Sequence, residues 1–475
     1  KECERAGALV LRGRCYECEE LPYKAFDPLV DALSHHLMGL EDHEVEPLLP
    51  PDTACLAELF PVLGRVRAFA ERGLVSSIAD PFERKRRATT ACRRLLRRIA
   101  EQRPLVLCMD DLQWGDLDSG PLFAEVMRSA EAPAMLLVFA FRAEDEADSA
   151  LIRALRDDYL PSARVKPREV RIEALGASEA ETLAEELLSG SVHAERAIAA
   201  VVAEACGSPF FLRELSSFVR ARGFTAGELK LETVLKARVD ALPEHSRTLL
   251  ELVAAAGKPE PQALLNEASG LGARAFSAGQ ILKAHNLVHS SGALSRARLE
   301  AYHDRIRETV YRQLSPDRAR YLHRLLAVTH EQYADQHEIE RDAEALCDHW
   351  QRAGERKRAL EYAVMAAERA ETSLAFLHAA KLYARAIELV DGDDARVSRL
   401  EGRTGRALMF AGRGALAADA FFRAVQHASE ADAQEYRRLA ITQLLNSGML
   451  GRAFAELREA EDTLGLRFPA TNLKA

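Results

Sequence analysis

The 475-residue chain carries a net charge of −9, with 48 % hydrophobic and 29 % charged residues. That balance suits a globular chain of about three domains that can bury sizeable cores. An acidic chain has no global field for nucleic acid or anionic lipid, and no apolar run approaches the roughly 20 residues of a membrane span.

In chain order, Ala8–Leu11 predicts a short strand, with Gly13 opening the turn after it. Apolar residues at Phe26, Leu29, Val30, Leu33 and Leu37 have helical spacing, which Pro50-Pro51 breaks. A long helix over Pro81–Gln102 places Cys92, Leu95, Leu96 and Ile99 on one face. Its other side carries Arg84, Lys85, Arg86, Arg87, Arg93, Arg94, Arg97 and Arg98, a phosphate-binding stripe or, more often in an acidic protein, a solvated face. Eight cysteines are scattered along the chain. Cys15 and Cys18 form one C-x-x-C without a second pair to complete a zinc site, so free thiols in a reducing cytoplasm are expected, with Cys108 inside a buried strand and Cys206 on a helix.

Pro104–Asp118, PLVLCMDDLQWGDLD, is the most informative stretch. Five apolar residues, Leu105–Met109, read as a central parallel strand, and Asp110 and Asp111 emerge at its carboxyl end, where such sheets bind ligands. One carboxylate there can hold Mg²⁺ against nucleotide phosphates and a second can orient an attacking water. The doubled acid followed by LQWGD looks like the Walker B element of a P-loop ATPase. The partner motif, G-x-x-x-x-G-K-[ST], is absent: the only Gly-Lys pair, Gly257-Lys258, is followed by Pro259. Its natural place is upstream of Lys1, so the chain reads as a fragment of a longer protein.

A second apolar strand is expected over Met135–Phe141, with Arg142 at its carboxyl end. That is where a nucleotide sensor would reach a γ-phosphate, the alternative being a salt bridge to Glu144 or Asp145. Glu169–Ile172 is a weaker strand, and beyond it the pattern is helical. Ser178 with Glu181 predicts a capping box opening the next helix. Gly207 and Pro209 break a helix that FFLREL restarts. Helices over Val234–Ala256, Gln262–Ser269 and Phe276–Leu287, then a polar ribbon and IRETVYRQL, suit a winged helix. Its third helix is too poor in Lys for a DNA-gripping face, so no direct nucleic-acid contact is expected. From about Pro316, small residues recur at Ala379-Ala380, Ala417-Ala418 and Ala453, about 36–38 residues apart, close to the roughly 34-residue period of tetratricopeptide repeats. The expected layout is an α/β P-loop NTPase core (1–176), a helical lid (177–230), a winged helix (231–318) and an α-solenoid (319–475) whose concave face takes protein partners.

Together, LRGRCYE, PYKAFDPLVDAL, MDDLQWGD, the FR ending of the second apolar strand, GSPFFLREL and YHDRIRETVYRQLSP resemble the STAND class of bacterial signalling ATPases. The nearest likeness is to those with an origin-recognition-like AAA core that follow a serine/threonine protein kinase and continue into tetratricopeptide repeats. The resemblance implies ATP or ADP as ligand. Asp110 would be the Mg²⁺-associated acid, Asp111 the water-orienting one, Arg142 the sensor, Pro209 the residue packing against base and ribose, and His303, followed by Asp304, the contact to the ADP β-phosphate. It also implies a sheet ordered Ala8–Leu11, Leu105–Met109, Met135–Phe141, a strand from before Lys1, then Glu169–Ile172. Without that strand, the last two should stand a strand-wide gap of about 9–10 Å apart. The expected function is a cytoplasmic nucleotide switch controlling a fused or partner kinase. The alternatives are an ATP-dependent transcription regulator whose DNA-binding domain lies outside this sequence, or a non-hydrolysing scaffold.

Overall fold

The computed structural model describes residues 2–17, 22–127, 132–163, 166–189, 194–223, 229–291, 297–333, 336–392 and 394–464. Cys18 lies outside them, and the described cysteines are free thiols. The chain divides into two compact units, Lys1–Lys166 with Ala334–Ala475, and Pro167–Tyr333. No helix among the described residues is long and apolar enough to cross a membrane.

The first unit is built on a parallel sheet ordered β1 (Leu9–Arg14), β2 (Leu105–Asp110) and β3 (Met135–Phe139). Leu9 pairs with Leu105 and Leu105 with Met135. Leu105, Leu107 and Met109 of β2 are buried, as a central strand requires. Gly13 is not the turn predicted for it but the fifth residue of β1, opposite Met109. A Cβ there would lie 2.5 Å from the Met109 methyl and 2.9 Å from Pro28 Cβ, so the glycine serves close packing. Beneath the sheet, rings of Tyr23, Phe60, Phe26, Phe123 and Phe139 follow one another at centroid separations of 5.0–5.9 Å.

The predicted helix Pro81–Gln102 forms with those bounds, opened by Asp80, whose carboxylate accepts from Phe82 N. Most of its cations are engaged by protein. Arg84 pairs with Glu58, Arg86 and Arg87 with Glu83, Arg93 with Glu125, and Arg97 with Glu101. Arg98 donates instead to the carbonyls of Pro47 and Leu49, so the face is largely ion-paired rather than set out as a phosphate stripe.

Glu169–Ile172 is not a strand. Val170 and Ile172 have no assigned secondary structure and are 75 % and 93 % exposed, without a ladder partner among the described residues. The predicted gap between two strands therefore has only one of them to define it. β3 pairs with β2 on one side, and Leu136 and Val138 on its surface are 55 % and 41 % exposed.

In the second unit, the helix after Leu175 starts at Ala177, and its N-cap is Gly176, not Ser178. Glu179 reaches back to accept the Gly176 amide at 2.9 Å, so the cap sits two residues earlier than Ser178 and Glu181 suggest. One core gathers the helices Ala177–Leu188, Ala194–Ala205 and Pro209–Arg222. A second joins Glu244–Ala256, Gln262–Ala268, Arg274–Ala284 and Asp304–Arg312 with an antiparallel ribbon of Val288–Ser291 and Arg298–Ala301. The single helix expected over Val234–Ala256 breaks at Ala241–Pro243, because Pro243 cannot donate within a helix. Cys206 is in a turn with φ +46°, not on a helix.

The remainder of the first unit is a succession of helices: Ala343–Arg352, Arg356–Thr372, Phe376–Leu389, Asp394–Phe410, Gly414–Val425, Glu430–Asn446 and Leu450–Leu464. Ala379, Ala417, Ala418 and Ala453 are fully buried at their crossings. A Cβ on Gly405 would strike the Phe421 ring at 2.7 Å, and one on Gly402 the Tyr436 hydroxyl at 2.4 Å.

Candidate functional site

The carboxyl end of β2 brings together residues from all three strands. The parallel register puts Arg14, the last residue of β1, opposite Asp110. Asp110 is exposed and its Oδ1 accepts the amide of Asp111 at 3.0 Å. Asp111 then turns into the left-handed region, φ 52° and ψ 40°, which a non-glycine residue adopts at a cost of about 1 kcal/mol or more. Two ladder-like bonds hold it there: Ala140 N donates to Met109 O at 2.9 Å, and Leu112 N donates to Ala140 O at 3.0 Å.

This turn swings the Asp111 carboxylate, 14 % exposed, between two guanidinium groups. Arg14 Nε donates to Oδ2 at 2.7 Å, and Arg142 Nε lies 4.0 Å from Oδ1. Buried Gln113 ties the pair together: its Nε2 donates to Asp111 Oδ1 at 3.1 Å, while its Oε1 accepts the Arg142 amide at 3.3 Å. Arg142 thus faces the acidic pair across the ends of β2 and β3. Arg14 and Gln113 were missed by sequence reasoning. The signal for Arg14 was its place in the register, since an LVLRGR strand beside LVLCMD aligns Arg14 with Asp110. Gln113 had only its place in LQWGD.

Chemically, the arrangement offers one exposed carboxylate, one carboxylate held by cations, and two arginines at the end of a sheet. An exposed carboxylate such as Asp110 suits Mg²⁺, which takes one or two carboxylates and fills the rest of its shell with water and phosphate oxygens. The arginines suit an anionic group brought to the same edge.

In the second unit, Pro209 is exposed at the first position of its helix, with Ser208 Oγ accepting from Phe211 N. Gly207, φ +74°, sits so close to the preceding segment that a Cβ would lie 2.5 Å from Leu175 O. Its carbonyl accepts the Leu175 amide at 2.9 Å. The next residue, Phe210, stacks on the His303 ring with centroids 4.1 Å apart and planes 11° from parallel. His303 opens the helix Asp304–Arg312, Nδ1 accepting the Arg305 amide at 3.2 Å. In the neutral ring that bond assigns the proton to Nε2. Pro209 and His303, far apart in sequence, therefore flank one aromatic stack, as Asp110, Asp111 and Arg142 share one sheet edge.

Residues 1–139 match the family model of the AAA ATPase domain. The match contains all three strands and the acidic pair and ends on Phe139, the last residue of β3. No curated protein matches the chain. The matched segment and the parallel sheet fit an α/β NTPase core followed by helices, and proteins of the AAA family generally use ATP or ADP with Mg²⁺.

Proposed function

We propose that the first unit carries the hydrolytic and sensing side of a nucleotide-controlled switch. The observation that supports this most is the convergence of Arg14 and Arg142 on Asp111 beside exposed Asp110. In this reading, Asp110 associates with Mg²⁺, Asp111 orients a water, and Arg142 answers to the γ-phosphate. With the Asp111 carboxylate held by the two arginines, the site is at rest. An incoming phosphate competes for the guanidinium groups and releases the carboxylate. Residues 1–475 contain no G-x-x-x-x-G-K-[ST], and the resemblance to STAND ATPases implies a phosphate-binding loop carried by a strand beside β3.

The second unit serves as lid and winged helix, with Pro209 against base and ribose and His303 donating from Nε2 to an ADP β-phosphate. The array that follows is tetratricopeptide-like and receives the signal through protein partners. The output is control of a fused or partner serine/threonine protein kinase, in the cytoplasm, a reading that rests on the resemblance to STAND ATPases. The test is Asp111→Asn in a protein in which this chain is complemented by a phosphate loop. Hydrolysis should fall by about 10²-fold or more while ATP affinity stays within a few-fold, the signature of a group acting mainly in the transition state. Unchanged turnover would remove Asp111 from the site.

A further inference from the structure

Within the first unit, the helix Phe376–Leu389 lacks a cap of its own. Its N-cap residue is Ala375, which has no side-chain acceptor, so the first-turn amides need a partner from elsewhere. That partner comes from the loop that follows the acidic pair. Asp118, 2 % exposed, accepts the His378 amide on Oδ2 at 2.8 Å and the Lys85 ammonium on Oδ1 at 3.0 Å. Lys85 also lies over the rings of Tyr23 and Phe376, at 5.5 and 5.6 Å. The Tyr23 hydroxyl donates to Leu374 O at 2.8 Å, and both Tyr23 and Leu374 are held at left-handed φ, 56° and 57°. Behind the helix, the His378 ring joins buried Glu344 through Nε2 and Oε2 at 2.8 Å.

We infer that Asp118 is a mechanical joint between the helical array and the acidic pair. It caps a helix some 260 residues away in the chain and stands at the far end of the short loop that begins at Asp111. A buried carboxylate that caps one helix and neutralises a half-buried ammonium has little freedom to move. A shift of Phe376–Leu389, such as a partner wedged among the helices would impose, must therefore drag Asp118 and the Leu112–Gly115 turn that fixes Asp111. The joint deepens the switch reading by naming how the array reaches the site. It can be tested without nucleotide, so its failure is separable from failure of that reading.

The test perturbs the array and watches the loop. In the intact chain, Glu344→Ala removes the support of His378 without touching Asp118. Amide exchange should accelerate by about threefold or more both at Phe376–Ala379 and at Leu112–Gly115. Asp118→Asn, which keeps shape and an acceptor but loses the charge facing Lys85, should accelerate exchange at the same two segments. Adding Ala375→Ser to Asp118→Asn gives the helix its own cap. Protection should then return at Phe376–Ala379 and not at Leu112–Gly115. If either single variant loosens Phe376–Ala379 while Leu112–Gly115 keeps its parent rate, or if Ala375→Ser restores both segments together, Asp118 is a structural cap only and the inference is overturned. Should Glu344→Ala prevent folding, Glu344→Gln with the same readout decides between the same outcomes.

Discussion

Asp111 carries the strain of the site, and what holds it there is legible in atoms. Its left-handed backbone is secured by the bond from Leu112 N to Ala140 O, and its carboxylate by Arg14 and Arg142. Arg14→Ala should leave the fold intact, since Arg14 is partly exposed and its pair contributes on the order of 1 kcal/mol or less. In a phosphate-loop-complemented protein the same change should raise basal ATP turnover severalfold, because it removes one of the two cations that hold the resting carboxylate. A steady-state phosphate-release assay with Arg14→Ala checks this, and a fall in turnover would instead make Arg14 a phosphate contact. A neighbouring carboxyl gives a pH prediction. Burial, reinforced by the charge of Asp118, raises the Asp116 carboxyl above its usual range, and the hydroxyl of Ser119 counters part of that rise. The folded chain thus keeps the Asp116 proton where the unfolded chain has already released it. The associated stability is present at low pH and is lost as pH rises from about 4 through the raised value. Asp116→Asn, which cannot ionise, should gain in melting temperature relative to the parent as pH rises through that window. Parallel melting curves taken at several pH values would show whether the difference grows.

At the scale of elements, the β3 edge and the helix crossings make contrasting predictions. Among the described residues β3 pairs with β2 alone, and its Leu136 and Val138 stand exposed on an apolar strand, which invites pairing with other chains. Leu136→Lys with Val138→Lys should reduce self-association in sedimentation or light scattering at no more than about 0.5 kcal/mol of stability. Gly405→Leu should instead cost roughly 1–3 kcal/mol in a urea titration, because the added side chain must displace the Phe421 ring. The elements show where sequence was enough. Leu105–Met109 and Pro81–Gln102 were readable because a central apolar strand and a one-sided helix each write their own pattern of apolar residues. Glu169–Ile172 misled because alternation of Val170 and Ile172 is the pattern of a strand, yet a strand exists only when another strand supplies its hydrogen bonds. Gly13 misled for a related reason. Glycine reads locally as a turn, and the close approach of Met109 and Pro28 that demands it is a tertiary fact. Of the site, Asp110, Asp111 and Arg142 could be found from strand ends. Arg14, Gln113 and Asp118 needed the register of the sheet and the return of the chain in the helical array.

Over the whole molecule, the residues singled out from the sequence fall in both units. The acidic pair, Arg14 and Arg142 belong to the first, and Pro209, Phe210 and His303 to the second. Residues 1–475 contain no G-x-x-x-x-G-K-[ST]. The central claim is that this chain supplies the hydrolytic and sensing residues of a nucleotide site whose phosphate loop enters at the β3 edge. The most direct measurement is a calorimetric titration of Mg·ATP and of ADP into two proteins: residues 1–475 alone, and the same chain with a strand carrying G-x-x-x-x-G-K-[ST] joined ahead of residue 1. The account predicts no measurable binding in the first and saturable binding, in the range of about 1–100 μM, in the second. Saturable binding by the chain alone would mean that its phosphate cradle lies elsewhere in the fold, and binding by neither would contradict the nucleotide site itself.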